Sequence, residues 1–181
     1  MNEAKLLNKA LEMGFANAAL IDTCDLTFIP AFRPLCRENL CGKYGVNYAC
    51  PPDCGSVDEM KARILCHPRA LVMQTMWDID DPLDEKQTKP AKGQHNKLTR
   101  QLIDWAGEPG LMVGTSGCSL CSPCAITEGE PCRFPELQFS CMSAYCVFVQ
   151  ELAEKCGMEY DCGPGLVAFF SMYCFGGNKT V

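Results

Sequence analysis

Leu111-Met112-Val113-Gly114-Thr115-Ser116-Gly117-Cys118-Ser119-Leu120-Cys121-Ser122-Pro123-Cys124 is the stretch that decides how this chain reads. Its first three residues form an apolar run suited to a strand, which passes with no intervening helix into three evenly spaced cysteines. Such a C-x2-C-x2-C run wraps a loop around a cubane, so that three thiolates reach three irons while backbone N–H groups point at the sulfides. Zinc sites instead draw two ligands from each of two separated C-x2-C knuckles. Cys132 follows as a fourth thiolate. The expected fold is therefore a sheet whose connecting loops carry the ligands.

A second grouping lies upstream: Cys36-x4-Cys41-x8-Cys50-Pro51-Pro52-x-Cys54, with Gly42, Tyr44 and Gly45 bending the loop. These four thiolates can complete another cubane. The competing reading is that some are small buried side chains, a common fate of free cysteine, and it applies most strongly to Cys54. Cys50 precedes proline, whereas Cys132 precedes Arg133. In two-cluster ferredoxins the cysteine before proline serves the other cluster, which suggests that Cys50 and Cys132 are exchanged between the groups. The remaining cysteines, Cys24, Cys66, Cys141, Cys146, Cys156, Cys162 and Cys174, are scattered and read mainly as core residues. Arg33, Arg37, Lys43 and Arg133 stand close in sequence to the two groups and could stabilise an anionic cluster.

Outward from these loops, the 181 residues suit one domain, 1–181, and 48% hydrophobic residues provide for an ordinary core. Fifteen cysteines in 181 residues is high usage. The opening Met1-Asn2-Glu3-Ala4-Lys5 lacks the apolar core of a signal peptide, and no run reaches the ~18 apolar residues of a membrane span. The expectation is a cytoplasmic protein without a membrane partner, where thiols stay reduced and bind metal instead of forming disulfides. A net charge of −6 with no basic stripe argues against a nucleic-acid partner.

Apolar periodicity predicts helices over 2–13, from the Ser56–Glu59 capping box to about 66, over 96–106 and over 143–156. Strands are expected at 18–21, 70–77, 111–113 and 166–173. Residues 78–94 carry acids, then bases, and two prolines, and read as a surface loop. The architecture expected is a single mixed α/β sandwich with two cysteine-rich cluster-binding loops. His67 and His95, the only histidines, fit no hydrolytic triad, and no phosphate-binding glycine loop occurs.

The pattern Cys36…Cys41-Gly-Lys-Tyr-Gly…Cys50-Pro-Pro, then Cys118-x2-Cys121-x2-Cys124…Gly129-Glu-Pro-Cys132-Arg-x-Pro135, resembles a family of small anaerobe-associated proteins described as predicted metal-binding proteins. The resemblance extends through Met142-Ser-Ala-Tyr145. It implies iron–sulfur binding in an anaerobe and no particular reaction. Cys54, Cys141 and Cys146 look like additions to the family pattern.

The leading expectation is an electron carrier with two 4Fe–4S clusters, ligated by Cys36, Cys41, Cys50 and Cys54 and by Cys118, Cys121, Cys124 and Cys132. Its redox partner would be a ferredoxin-, flavodoxin- or flavoprotein-type donor. If Cys54 is not a ligand, the first cluster keeps an open iron, and an enzyme acting on a small molecule becomes the alternative. A structural zinc module is the third reading.

Overall fold

The computed structural model describes residues 2–177. Helix α1 (Glu3–Glu12) is capped by Asn2, whose side chain accepts from the Lys5 N–H, and leads into strand β1 (Asn17–Asp22). Two 3₁₀ segments and the first cysteine loop precede α2 (Val57–Leu65), whose Ser56–Glu59 capping box is formed as predicted. There follow β2 (Arg69–Asp78), α3 (Glu85–Ala106), β3 (Gly110–Gly114), the second cysteine loop, β4 (Ser140–Cys141), α4 (Val149–Lys155) and β5 (Leu166–Phe175). The sheet order is β1-β2-β5-β3-β4, antiparallel except where β4 lies parallel to β3.

Alternation along the long central strands builds two cores, because successive side chains leave a strand on opposite faces. Ala70 and Val72 of β2 join Met172 and Cys174 of β5 against Met60 and Ile64 of α2 and Leu152 of α4. Leu71, Met73, Tyr173 and Phe175 face the other way, onto Leu6 and Ala10 of α1 and Leu102 of α3. The result is a mixed α/β sandwich with helices on both faces. Among the described residues no helix is long and apolar enough to cross a membrane.

Two expectations need correction. The segment read as a surface loop, 78–94, is helical from Glu85 onward and continues into the predicted 96–106 helix despite Pro90 within it. Its buried face is Thr88, Ala91, His95, Asn96, Thr99 and Leu102, a mostly polar stripe invisible to an apolar count. Its polar members make these contacts: Thr88 Oγ1 donates to the Asp84 carbonyl at 3.0 Å, His95 Nδ1 lies 2.7 Å from Thr75 Oγ1, Thr99 Oγ1 2.7 Å from Ser171 Oγ, and Asn96 Nδ2 donates to Ser116 Oγ at 2.9 Å, while His95 Nε2 is buried with no partner among the described residues. Buried polar groups are tolerated when paired, which is how this face docks on the sheet. His95 therefore lies in the core.

The helix predicted over 143–156 is shorter and begins at Val149. Cys146, placed in it by the sequence, instead adopts φ of 58°, a left-handed conformation that a helix interior does not accept. An isolated bridge, Phe28 to Val147, holds the residues just before the helix in extended pairing.

Burial pulls the His95 pKa down to about 3. A histidine near 6.5 when unfolded and near 3 when folded binds more protons in the unfolded state below pH 6.5, so stability is complete above that pH and falls as pH drops. The cost at pH 5 is about 2 kcal/mol. Urea denaturation at pH 7.5 and 5.0 should show the acid sensitivity shrinking by about that amount in His95→Gln.

Candidate metal centre

The first cysteine loop is positioned from three sides. Cys36 lies in the 3₁₀ segment Pro30–Glu38, which ends at Asn39 in a left-handed conformation (φ 53°). The Asn39 side chain accepts from the Tyr44 N–H at 2.9 Å, and Gly42 and Gly45 (φ 64° and 68°) turn the chain back in conformations that suit glycine. The Gly45 N–H donates to the Pro51 carbonyl at 2.9 Å, and the Cys54 N–H to the Cys50 carbonyl at 3.1 Å. These turns gather Cys36, Cys41, Cys50 and Cys54 so closely that the Cys50 thiol feels the charge of the other three.

Arg33 closes the group. Its Nη1 donates to the Gly55 carbonyl at 2.9 Å and reaches the Cys54 Sγ at 3.6 Å, while Nη2 donates to the Ala144 carbonyl at 2.7 Å. One guanidinium thus joins the Cys36 segment, the Cys54 turn and the turn after β4. Its Nε is buried with no partner among the described residues.

The second loop leaves β3 at Gly114. Asn96 of α3 holds its start, accepting from the Thr115 N–H at 3.0 Å. The Cys118 thiol feels both Cys121 and Cys132, and the Cys121 thiol is hydrogen-bonded to Cys124. Arg133 clasps the loop, donating to the Pro123 carbonyl at 3.1 Å and pairing with Glu128. All four predicted cysteines of this group are therefore brought together. Cys132 and Cys121 are the thiol neighbours of Cys118, while Cys141, Cys41, Cys54 and Cys36 are those of Cys50.

The two groups are neighbours, because Asn47 and Tyr48 stitch one loop to the other. Asn47 Nδ2 donates to the Cys118 carbonyl at 2.8 Å, and the Tyr48 hydroxyl to the Glu130 carbonyl at 2.9 Å. The Cys50 Sγ lies against Gly117: a Cβ added there would come within 2.9 Å of it. Neither Asn47 nor Tyr48 stood out in the sequence, where only their place beside Cys50 hinted at a role.

The thiols differ in electrostatics. Burial pushes Cys50 up to about 12, with neighbouring thiols adding to the shift. Burial also raises Cys36 and Cys54, opposed in both by the Arg33 charge. Cys118 is raised by burial against N–H groups of Leu120 and Phe139. At Cys124 burial is outweighed by N–H groups of Ile126, Tyr48 and Ala125 and by the Cys121 thiol, which hold it below the usual thiol range. A metal must displace the protons of these thiols on binding.

Among the described residues no three Cys, His, Asp or Glu side chains converge into a closed group around a single ion. The groups are open neighbourhoods of thiols bounded by donors. They suit an anionic, thiolate-ligated centre in three respects: N–H groups aimed at sulfur, the unpartnered Arg33 Nε, and the glycine cradle facing Cys50.

Gly117 has an ordinary backbone conformation, so alanine there should fold but crowd Cys50. Gly117→Ala is expected to keep the parental circular dichroism while holding clearly less metal per chain by elemental analysis. Gly93→Ala, on the open face of α3 with nothing within 4 Å, should leave metal content unchanged.

No curated protein and no solved structure matches the chain. The family described as predicted metal-binding protein (DUF2284) matches residues 19–174, a span that includes both cysteine groups. The chain belongs to this family of predicted metal-binding proteins.

Proposed function

We propose that this protein binds two 4Fe–4S clusters side by side and carries electrons between redox partners in a reducing, cytoplasmic setting. One cluster would be held by Cys118, Cys121, Cys124 and Cys132, the other by Cys36, Cys41, Cys50 and a fourth thiol. The observation that carries the reading is the meeting of the two cysteine loops at Gly117 and Cys50, stitched by Asn47 and Tyr48. Bound 4Fe–4S centres supply one-electron transfer. The chain's part is to hold them close, screen them and set their potential. Backbone N–H groups at Cys118 and Cys124, with the Arg33 guanidinium near Cys36 and Cys54, stabilise added negative charge and so raise that potential.

A docking role fits the surface. Of the eleven large apolar side chains exposed among the described residues, Leu35, Leu40 and Val46 lie in the first loop, and Leu120, Phe134 and Leu137 in the second. Exposed apolar groups gathered around a site mark a surface that meets a partner. A ferredoxin-, flavodoxin- or flavoprotein-type donor is the partner class proposed. An overall charge of −6 would lend such encounters electrostatic selectivity.

Anaerobically purified protein should be brown, contain about eight irons per chain, and give a paramagnetic signal on one-electron reduction of each centre. Mixed with reduced flavodoxin, it should take up electrons with no small molecule added. Colourless protein carrying zinc would defeat the proposal and favour the structural module.

A further inference from the structure

We infer that Cys141, which the sequence left among the core cysteines, is the fourth thiolate of the first group, in the place given to Cys54. The inference rests on the metal-binding reading of that group, though not on which metal it holds. Cys141 ends the edge strand β4, where it pairs with Gly114 of β3. Three residues after Gly114, Gly117 lies against the Cys50 Sγ. The parallel pairing of β3 with β4 thus carries Cys141 from outside both motifs to the Cys50 side of the first group.

Three further observations agree. Among thiols, Cys141 acts most strongly on the charge of Cys50, and Cys36 and Cys41 are its own thiol neighbours. The backbone N–H groups of Ser143 and Ala144 turn toward its sulfur, the same arrangement found at Cys118 and Cys124. Arg33 fixes that turn by taking the Ala144 carbonyl at 2.7 Å. Hydrogen-bonded sulfur is a mark of cluster ligands.

Cys54 has different surroundings. Its sulfur is held by the Arg33 guanidinium, and Arg63 Nη1 donates to its carbonyl at 2.7 Å. With Tyr48, Asp53, Arg63 and Tyr145 it lines a cavity of about 360 Å³ in which Cys36, Cys41, Cys50 and Cys141 take no part. Cys146 is the other rival. It is fully buried, in a left-handed turn, and is a thiol neighbour of Cys36. Cys36, Cys41, Cys50 and Cys141 then make four thiolates without Cys54. A 4Fe–4S cluster on these four would have no iron left open, which removes the basis of the open-iron alternative.

The test uses the full chain, purified anaerobically, as Cys141→Ser and Cys54→Ser beside the parent. Metal per chain is measured by elemental analysis, and the centre at Cys118 is followed by its own spectroscopic signal. Cys141→Ser should keep about half the parental metal with the Cys118 signal intact, which also shows that the variant is folded; Cys54→Ser should keep all of it. Full retention in Cys141→Ser, or loss of half in Cys54→Ser, overturns the inference. If Cys141→Ser does not fold, alkylation of the parent decides: Cys141 should resist labelling while metal is bound and react after chelation under native conditions, and labelling with metal bound overturns the inference. Zinc in the parent, with the same half-loss in Cys141→Ser, would sink the electron-transfer proposal and leave this inference standing. A parent that binds no metal would overturn both.

Discussion

The Arg33 guanidinium ties together three pieces of chain that are distant in sequence, adding to the bridge between Phe28 and Val147. It donates to the Gly55 carbonyl, to the Ala144 carbonyl and toward the Cys54 sulfur. Those contacts join the segment carrying Cys36, the turn that ends the first loop and the turn that follows β4. Hydrogen bonds to a charged group contribute about 1.5–3 kcal/mol each, and a guanidinium presents its donors in a fixed planar fork. A lysine could supply the charge but not the simultaneous reach. The segment from Ser143 to Phe148, whose composition suggests helix, is held out of the helix by this junction together with the bridge between Phe28 and Val147. It forms a turn whose N–H groups face sulfur.

A second constraint is the manner in which α3 is buried. It meets the sheet through His95, Thr99 and Asn96 as well as through leucine, and each has a matched partner on a neighbouring element. Paired polar contacts are directional, so they fix the height of the helix against the strands more tightly than apolar packing would. Asn96 uses that placement to grip Thr115 and Ser116, where β3 gives way to the second cysteine loop. The core and the candidate centre are connected at this point.

Much of the fold was legible in the residues. The capping box at Ser56 and Glu59 announced α2, and the apolar runs of β2 and β5 announced the centre of the sheet. Both cysteine groups were visible because their spacing is local. Residues 85–94 were misread because their buried face is threonine, alanine and histidine, a stripe that a count of apolar residues scores as surface. Residues 143–148 were misread because helical propensity there yields to Arg33 and to the bridge between Phe28 and Val147.

By itself the sequence determined that this is a thiol-rich metal-binding chain, which of its loops hold the clustered cysteines, and that a mixed sheet carries them. Spacing within a loop is short-range information, and a few bonds of chain limit where the thiols can go. Only the tertiary structure decided that the two loops touch and that Cys141 comes to the first of them. Those outcomes depend on the pairing of β4 with β3, on the contact between Cys50 and Gly117, and on one arginine reaching residues 22 and 111 positions away along the chain. Contacts over such separations are set by how elements pack, and no local spacing encodes them.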